Sequence, residues 1–373
     1  MVVPLLGPHL RKGSLGRVAI IGGSCDYTGA PYFAAAAAMR IGGDLVHIFT
    51  DSVNTATAIR SYGPELIVSY PYSRVFQNRE SSAKRHNGKA AGWLWRFQCV
   101  VVGPGLGRDH PKQKVALLKK LVSHCHEYSI PLIIDADGLY FLPQFYELLK
   151  GENRIVLTPN MAEIINLSGN IPSADIHTHI QDKNLLLLAR AVATHLSGPL
   201  LLLKDKFDAI VTSECAWVLN FENLDNLPFI DSCSNPVSAS ALSVFLQALD
   251  SLCIETISAD LGGGKIPRGS CLRRVAGQGD MLSGILGTLL SWFKLFDWDL
   301  EWRDTIMRRL PEDVREKICA ILKEDSLDRM IFYVAAACMF MRYSAWQCFR
   351  TNGRGMQASQ ILHEISRLSS RLV

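Results

Sequence analysis

No Cys-x-x-Cys pair occurs among the ten cysteines of this 373-residue chain. Their scatter excludes a regular disulfide framework and a structural zinc site, both of which need close, repeated spacing. Buried, reduced thiols of an intracellular protein are the plain reading, as for Cys99 and Cys338 in their apolar runs. His124-Cys125-His126 and His177-Thr178-His179 lack both helical i, i+4 spacing and a third ligand, so they read as surface or helix-end histidines. No signal peptide is expected from residues 1–17, which hold Pro4 and Pro8 and lead straight into a β-branched run. No apolar run reaches bilayer length; near the C-terminus the longest spans residues 330–341. Charge bias is also lacking. With 39 basic and 35 acidic side chains the net charge is +4, which makes no case for a nucleic-acid partner. A cytoplasmic protein without a membrane partner is expected, and a mitochondrial form is left open. The Gly-x-x-x-x-Gly-Lys-Ser/Thr phosphate loop and the His-Arg-Asp/Asp-Phe-Gly kinase pair are absent, and Gly22-Gly23 does not continue into the dinucleotide fingerprint.

What is present is a repeating strand–helix rhythm. The 48% apolar content suffices for a large core. Arg17-Val18-Ala19-Ile20-Ile21 ends in Gly22-Gly23, a buried strand entering a tight turn. Pro31 and five alanines, 34 to 38, predict a helix that Gly42-Gly43 stop, and residues 45–49 predict a second strand. Further strands are expected at 99–102, 132–134, 155–157 and 200–203, with helices over 112–128 and 183–195. Such alternation predicts an α/β fold: a central, mostly parallel sheet with helices on both faces. Ligands in such sheets bind beyond the carboxyl ends of the strands. Glycine-rich or polar loops follow five of the strands here, at 22–23, 103–107, 135–138, 158–160 and 204–205, and are expected to converge on one cleft. A single domain over 1–373 is expected. Two stretches depart from its rhythm: 224–268, with one apolar helix-like piece at 237–252, and 295–326, which reads as a surface helix or two. The basic piece 81–89 reads as a solvated loop.

The sharpest local signal is Arg273-Arg274-Val275-Ala276-Gly277-Gln278-Gly279-Asp280 before an apolar helix. Exposed amides at a helix N-terminus favour anions, and glycines let a phosphate approach the backbone. An aspartate placed there repels phosphate unless it has work to do, such as taking a proton from an attacking hydroxyl. A simple N-capping aspartate is the other reading of the same residues.

Several segments together resemble the ATP-dependent NAD(P)H-hydrate dehydratase family of the ribokinase-like superfamily. They are Gly16-Arg17-Val18-Ala19-Ile20-Ile21-Gly22-Gly23-Ser24, Asp26-Tyr27-Thr28-Gly29-Ala30-Pro31-Tyr32 and Ser61-Tyr62-Gly63-Pro64-Glu65-Leu66. Then come Gly103-Pro104-Gly105-Leu106-Gly107, Asp135-Ala136-Asp137-Gly138, Thr158-Pro159-Asn160 with Glu163, the 273–280 block and Asn352-Gly353-Arg354-Gly355-Met356. They run in family order over nearly the whole chain.

The resemblance implies dehydration of the (6S) hydrates of NADH and NADPH at the expense of ATP, which restores the reduced cofactors and gives ADP and phosphate. It implies Asp280 as the base and as part of the substrate site. It implies substrate contacts at Gly107 and along Asn160, Met161, Ala162, Glu163, Ile164, Ile165 and Asn166. ATP would lie on Lys204, Asp205, Lys206, Phe207 and Asp208, and on Ser270, Cys271, Leu272, Arg273, Arg274, Val275, Ala276, Gly277, Gln278 and Gly279. Glu163 would serve magnesium, through water. Read alone, Asn160 and Glu163 are a turn residue and a first-turn helix charge, and Lys204 is a strand-end charge. The expected partners are these small molecules, with a homo-oligomer left open.

Three departures from the family stand out. Asp205 replaces its usual glycine and would put a carboxylate beside phosphates unless it points away. Val275-Ala276 replaces its Cys-Gly, and an alanine forced to positive φ would be strained by about 1 kcal/mol. The 224–268 connection is longer than usual. A small-molecule kinase on the same fold and a non-catalytic nucleotide binder are the rival readings.

Overall fold

Short β-branched segments with both faces apolar form strands only when helices cover the two sides. That is the arrangement in the computed structural model, which describes residues 12–76, 93–172, 176–181, 184–219, 254–256, 274–298, 326–370 and a few single positions between 299 and 325. Strands β1 (Arg17–Ile21), β2 (Leu45–Phe49), β3 (Ile67–Ser69), β4 (Cys99–Val102), β5 (Leu132–Ile134), β6 (Ile155–Leu157) and β7 (Leu200–Lys204) are mutually parallel. Beyond β7 the sheet continues as an antiparallel meander, β8 (Asp208–Val211), β9 (Ala216–Leu219) and β10 (Ile254–Thr256). The order across the sheet is β10-β9-β8-β7-β6-β5-β4-β1-β2-β3.

Alternate side chains feed two cores. Val18, Ile20, Cys99, Val101, Ile133 and Leu202 pack under α1 (Gly29–Arg40) and three later helices, α8 (Gln278–Trp298), α9 (Ser326–Asn352) and α10 (Ala358–Ser369). Ala19, Ile21, Val100, Val102, Ile134 and Leu203 pack on the other side. There they meet α3 (Pro111–Glu127), α4 (Asp137–Phe141), α5 (Met161–Ser168) and α7 (Leu185–Leu196). Two further α-helices, α2 (Val53–Arg60) and α6 (Ile176–Gln181), complete the described set.

The alanine run does more than favour a helix. Ala34, Ala35, Ala37 and Ala38 are fully buried, which brings α8 close to α1. A Cβ at Gly284 of α8 would lie 1.9 Å from the Ala34 carbonyl oxygen. The Thr288 hydroxyl donates to the Ala38 carbonyl at 2.9 Å. This small-residue contact fixes the axial position of α8, and with it the residues at its N-terminus.

Some expectations need correction. Residues 295–298 continue α8 instead of starting a surface helix, and residues 254–256 inside the irregular stretch form strand β10. The helix-like piece 237–252 and the basic piece 81–89 lie outside the described residues. Cys99, Cys125, Cys338 and Cys348 are buried free thiols as expected, whereas Cys25 is exposed. No helix among the described residues is long and apolar enough to cross a membrane.

Candidate active site

The chain leaves β1 for β2 and β3 on one side and for β4 to β7 on the other, so the strand order reverses between β1 and β4. Crevices in open α/β sheets form at such a reversal. Here the Gly23 amide donates to the Pro104 carbonyl at 3.0 Å, which joins the loops after β1 and β4. Gly103 has φ +125, and a Cβ there would meet the Asp135 carbonyl oxygen at 1.7 Å. Only glycine allows the β4 and β5 loops to approach this closely.

Asp135 directly follows β5 and is buried. Its Oδ1 accepts from Lys204 Nζ at 2.6 Å, from Thr158 Oγ1 at 2.7 Å and from the Ala136 amide at 2.9 Å. One carboxylate thus ties together the ends of β5, β6 and β7. Ala136 sits at φ 46, a strained conformation for a residue with a Cβ. The strain turns the chain so that Asp137 opens α4. Both oxygens of Asp137 are used: Oδ2 accepts from the Gly107 amide at 2.9 Å and Oδ1 from Arg108 Nε at 3.0 Å.

Asn160 and Glu163 form a reciprocal capping box at the start of α5. The Asn160 amide donates to Glu163 Oε2 at 2.8 Å, and the Glu163 amide donates to Asn160 Oδ1 at 3.0 Å. The local reading of these two residues is therefore correct, but it is incomplete. Burial raises the Glu163 pKa, Lys204 opposes that, and Asp135 and Asp137 add to it, so Glu163 belongs to the same charge cluster. Asn160, Met161 and Ala162 are exposed at the helix start. Ile164, expected in the substrate segment, is fully buried in the core instead. Ile165 is half-buried, and Asn166 is exposed further along α5.

Asp280 lies in the first turn of α8, after the glycine turn. Gly277 takes φ +96 and packs on Phe33 and Ala358, where a Cβ would be 2.9 Å from the Phe33 ring and 3.4 Å from the Ala358 side chain. Positive φ is thus needed at 277, and Ala276 is free of the strain expected there. Lys204 Nζ lies 3.5 Å from where a Cβ of Gly279 would be, so the lysine stands beside the turn. The buried Gln278 Nε2 finds no hydrogen-bond partner among the described residues, which suits a donor kept for a ligand. Burial is the main force on Asp280. With Asp135, Glu163 and Asp137 adding to it and Lys204 opposing it, its pKa rises from 3.8 to about 7. Burial works to lower the Lys204 pKa, but Asp135, Glu163 and Asp280 outweigh it and hold the ammonium charged.

The segment after β7 divides. The Asp205 carboxylate lies 3.9 Å from Arg274 Nη1, and the Asp205 carbonyl accepts from Arg274 and, at 2.8 Å, from Arg342. The carboxylate expected to repel phosphate is drawn to a cation. Lys206 is exposed and Phe207 is buried in the core. Asp208 is buried, and both its oxygens are held by Arg342, at 2.9 and 2.6 Å. Val275 is half-buried and Ala276 exposed on the approach to the turn. Ser270, Cys271, Leu272 and Arg273 lie outside the described residues.

Arg342 had no sequence signal beyond a charge at the end of an apolar run. Asp135 and Asp137 were visible as a motif, but only the structure gives them work. Among the described residues no three His, Cys, Asp or Glu side chains are set to cage a metal.

The sequence profile of the NAD(P)H-hydrate dehydratase family matches residues 18–224. An ATP-dependent (S)-NAD(P)H-hydrate dehydratase of Emericella nidulans is 31% identical over 371 residues, 98% of this chain and 89% of that protein. A ribokinase-like superfamily protein of Enterococcus faecalis superposes with a TM-score of 0.54 at 15% identity, covering 99% of this chain and 92% of its own. The Bacillus subtilis ADP/ATP-dependent NAD(P)H-hydrate dehydratase, co-crystallised with ATP and Mg2+, gives 0.54 at 16% identity over 100% and 95% of the two chains. At such identities the two structures share the fold, which is ribokinase-like. With the profile spanning more than half of the sequence, the chain belongs to the ATP-dependent NAD(P)H-hydrate dehydratase family.

Proposed function

We propose that this chain dehydrates the (6S) hydrates of NADH and NADPH with ATP as co-substrate, restoring the reduced dinucleotides. The observation that carries the chemistry is Asp280, a carboxyl with its pKa near 7 at the mouth of a glycine turn beside a charged lysine. A base of that pKa is half-ionised at neutral pH and is well matched to proton transfer.

Asp280 takes the proton of the ring hydroxyl as that oxygen attacks the γ-phosphorus. The new O–P bond forms, the bond to the β-phosphate oxygen breaks, and ADP leaves. Phosphate is a far better leaving group than hydroxide. Its C–O bond breaks with a push from the ring nitrogen, and loss of a ring proton restores the double bond. Gly277, Gln278 and Gly279 hold phosphates through the turn and the helix N-terminus. Lys204, fixed by Asp135, offsets the negative charge that develops.

Magnesium fits the charge balance. Asp135, Asp137, Glu163 and Asp280 share this end of the sheet with Lys204. With no protein cage among the described residues, the fit is to a hydrated ion, which Glu163 would hold through water. When bound, it supplies charge neutralisation on the phosphates.

The test is absorbance at 340 nm with the purified chain, the hydrate of NADH, ATP and Mg2+. An ATP-dependent rise that Asp280→Asn abolishes is the expected result. A phosphorylated product accumulating without a rise would identify a kinase. Nucleotide-induced thermal stabilisation with neither product would identify a binding protein.

A further inference from the structure

Arg108 follows Gly107 in the β4 loop, and its guanidinium is held on two sides while remaining open to solvent. Nε donates to Asp137 Oδ1 at 3.0 Å, and the carbon of the guanidinium lies 4.3 Å from the centre of the Tyr140 ring. Its side chain is nevertheless 62% exposed. Asp137 grips the neighbouring Gly107 amide with its other oxygen, so one carboxylate sets both residues. A surface arginine normally loses rotamer freedom when it binds a ligand. Here that entropy is already lost in the free protein, and the remaining N–H donors are aimed by a planar, stacked fork. Such a fork matches phosphate oxygens.

The strand order gives Arg108 its place. β7 and β4 are separated by β6 and β5. Lys204 ends β7 and reaches across to Asp135 just beyond β5, with Gly279 of the glycine turn beside its ammonium, while Arg108 follows β4. Asp137, which clamps Arg108, is also felt by Asp280. A base that feels both Lys204 and Asp137 suits a reaction between two phosphate-bearing molecules.

We propose that Arg108, pre-set by Asp137 and Tyr140, binds a phosphate of the dinucleotide substrate, and that Asp137 is its positioning residue. The inference rests on the substrate class proposed above. The diphosphate is common to both substrates and the 2′-phosphate is confined to one, so the experiment separates them.

NADH and NADPH, the product forms, keep these phosphates, and their fluorescence reports binding directly. In Arg108→Ala the dissociation constant is expected to rise about 10- to 100-fold, the loss of a charge-assisted contact. Binding of a non-hydrolysable ATP analogue stays unchanged, and the salt dependence of dinucleotide binding weakens by about one charge. Weakening of both dinucleotides assigns the diphosphate, and weakening of NADPH alone assigns the 2′-phosphate. Unchanged dinucleotide binding, or parallel weakening of the ATP analogue, overturns the inference. Wild-type protein that binds NADH or NADPH through Arg108 without turnover would sink the dehydratase reading alone. Turnover combined with unaltered binding in Arg108→Ala would sink this one alone.

Discussion

Each end of the sheet buries a lysine, and the two are held in opposite electrostatic states. Lys204, at the carboxyl end of β7, stands among Asp135, Glu163 and Asp280, and its pKa is raised. Lys294 lies fourteen positions beyond Asp280 on α8, about 21 Å along the same helix. It is only 8% exposed and donates to the Tyr128 carbonyl at 3.2 Å. Burial, with Arg154 nearby, lowers its pKa to about 8. Near the end of α3, a cavity of about 310 Å³ between β5 and β6 is lined by His126, Glu152 and Arg154. There Glu152 pairs with His126 at 2.7 Å. Burial acts on both lysines alike. The difference is made by carboxylates, and the fold gathers those where the strands end.

The largest effect expected at the catalytic pole comes from Asp280→Asn. Loss of a general base lowers kcat/KM by about 10²- to 10⁴-fold. The same change should stabilise the protein. The folded pKa of Asp280 is raised from 3.8 to about 7, so stability is full below about pH 4 and falls as pH climbs through 7. The asparagine lacks that fall. Denaturation at pH 8 should show a gain of about 0.5–2 kcal/mol, shrinking toward pH 4. A variant that loses both activity and stability would contradict the assignment of Asp280 as a strained base.

Lys204→Met comes next. It leaves the buried Asp135 carboxylate unpaired, which costs about 3–5 kcal/mol in urea unfolding. Because Lys204 is the charge opposing the rise of the Asp280 pKa, whatever activity remains should shift its acid limb to higher pH. An unmoved limb would show that the two groups are not coupled.

In the wild type, kcat/KM measured from pH 5 to 9 should climb with a midpoint near 7, as Asp280 ionises. A midpoint near 4 would mean that Asp280 is not the titrating base.

The smallest effect belongs to the other pole. Lys294→Met should leave turnover unaltered. Its folded pKa lies below 10.5, so the charged form is penalised in the folded protein below pH 8, and the penalty fades between 8 and 10.5. Calorimetry at pH 7 should show a gain of about 1 kcal/mol that disappears by pH 10.5. A loss of activity here would join the two poles and break the comparison.

The parallel strands could be read in the sequence because burial on both faces demands continuous apolar runs, and the glycine loops followed them. The strands β3, β8, β9 and β10, toward the two edges of the sheet, did not stand apart in this way. Ile164, Phe207 and Asp208 show the limit at the site. A contiguous segment was expected to face ligand, yet helix and strand periodicity turns every few residues inward. Arg342 shows the converse: a residue 134 positions away in the chain closes over Asp208.

The sequence by itself determined the α/β rhythm, the positions of the glycine turns and the aspartate at the head of α8. Those are local matters of backbone freedom and side-chain pattern. Tertiary structure decided the rest: that Asp135 meets Lys204 across 69 residues, that their neighbours lift the Asp280 pKa, and that Asp205 finds Arg274. Charges act through space and burial, and neither is set until the strands lie side by side.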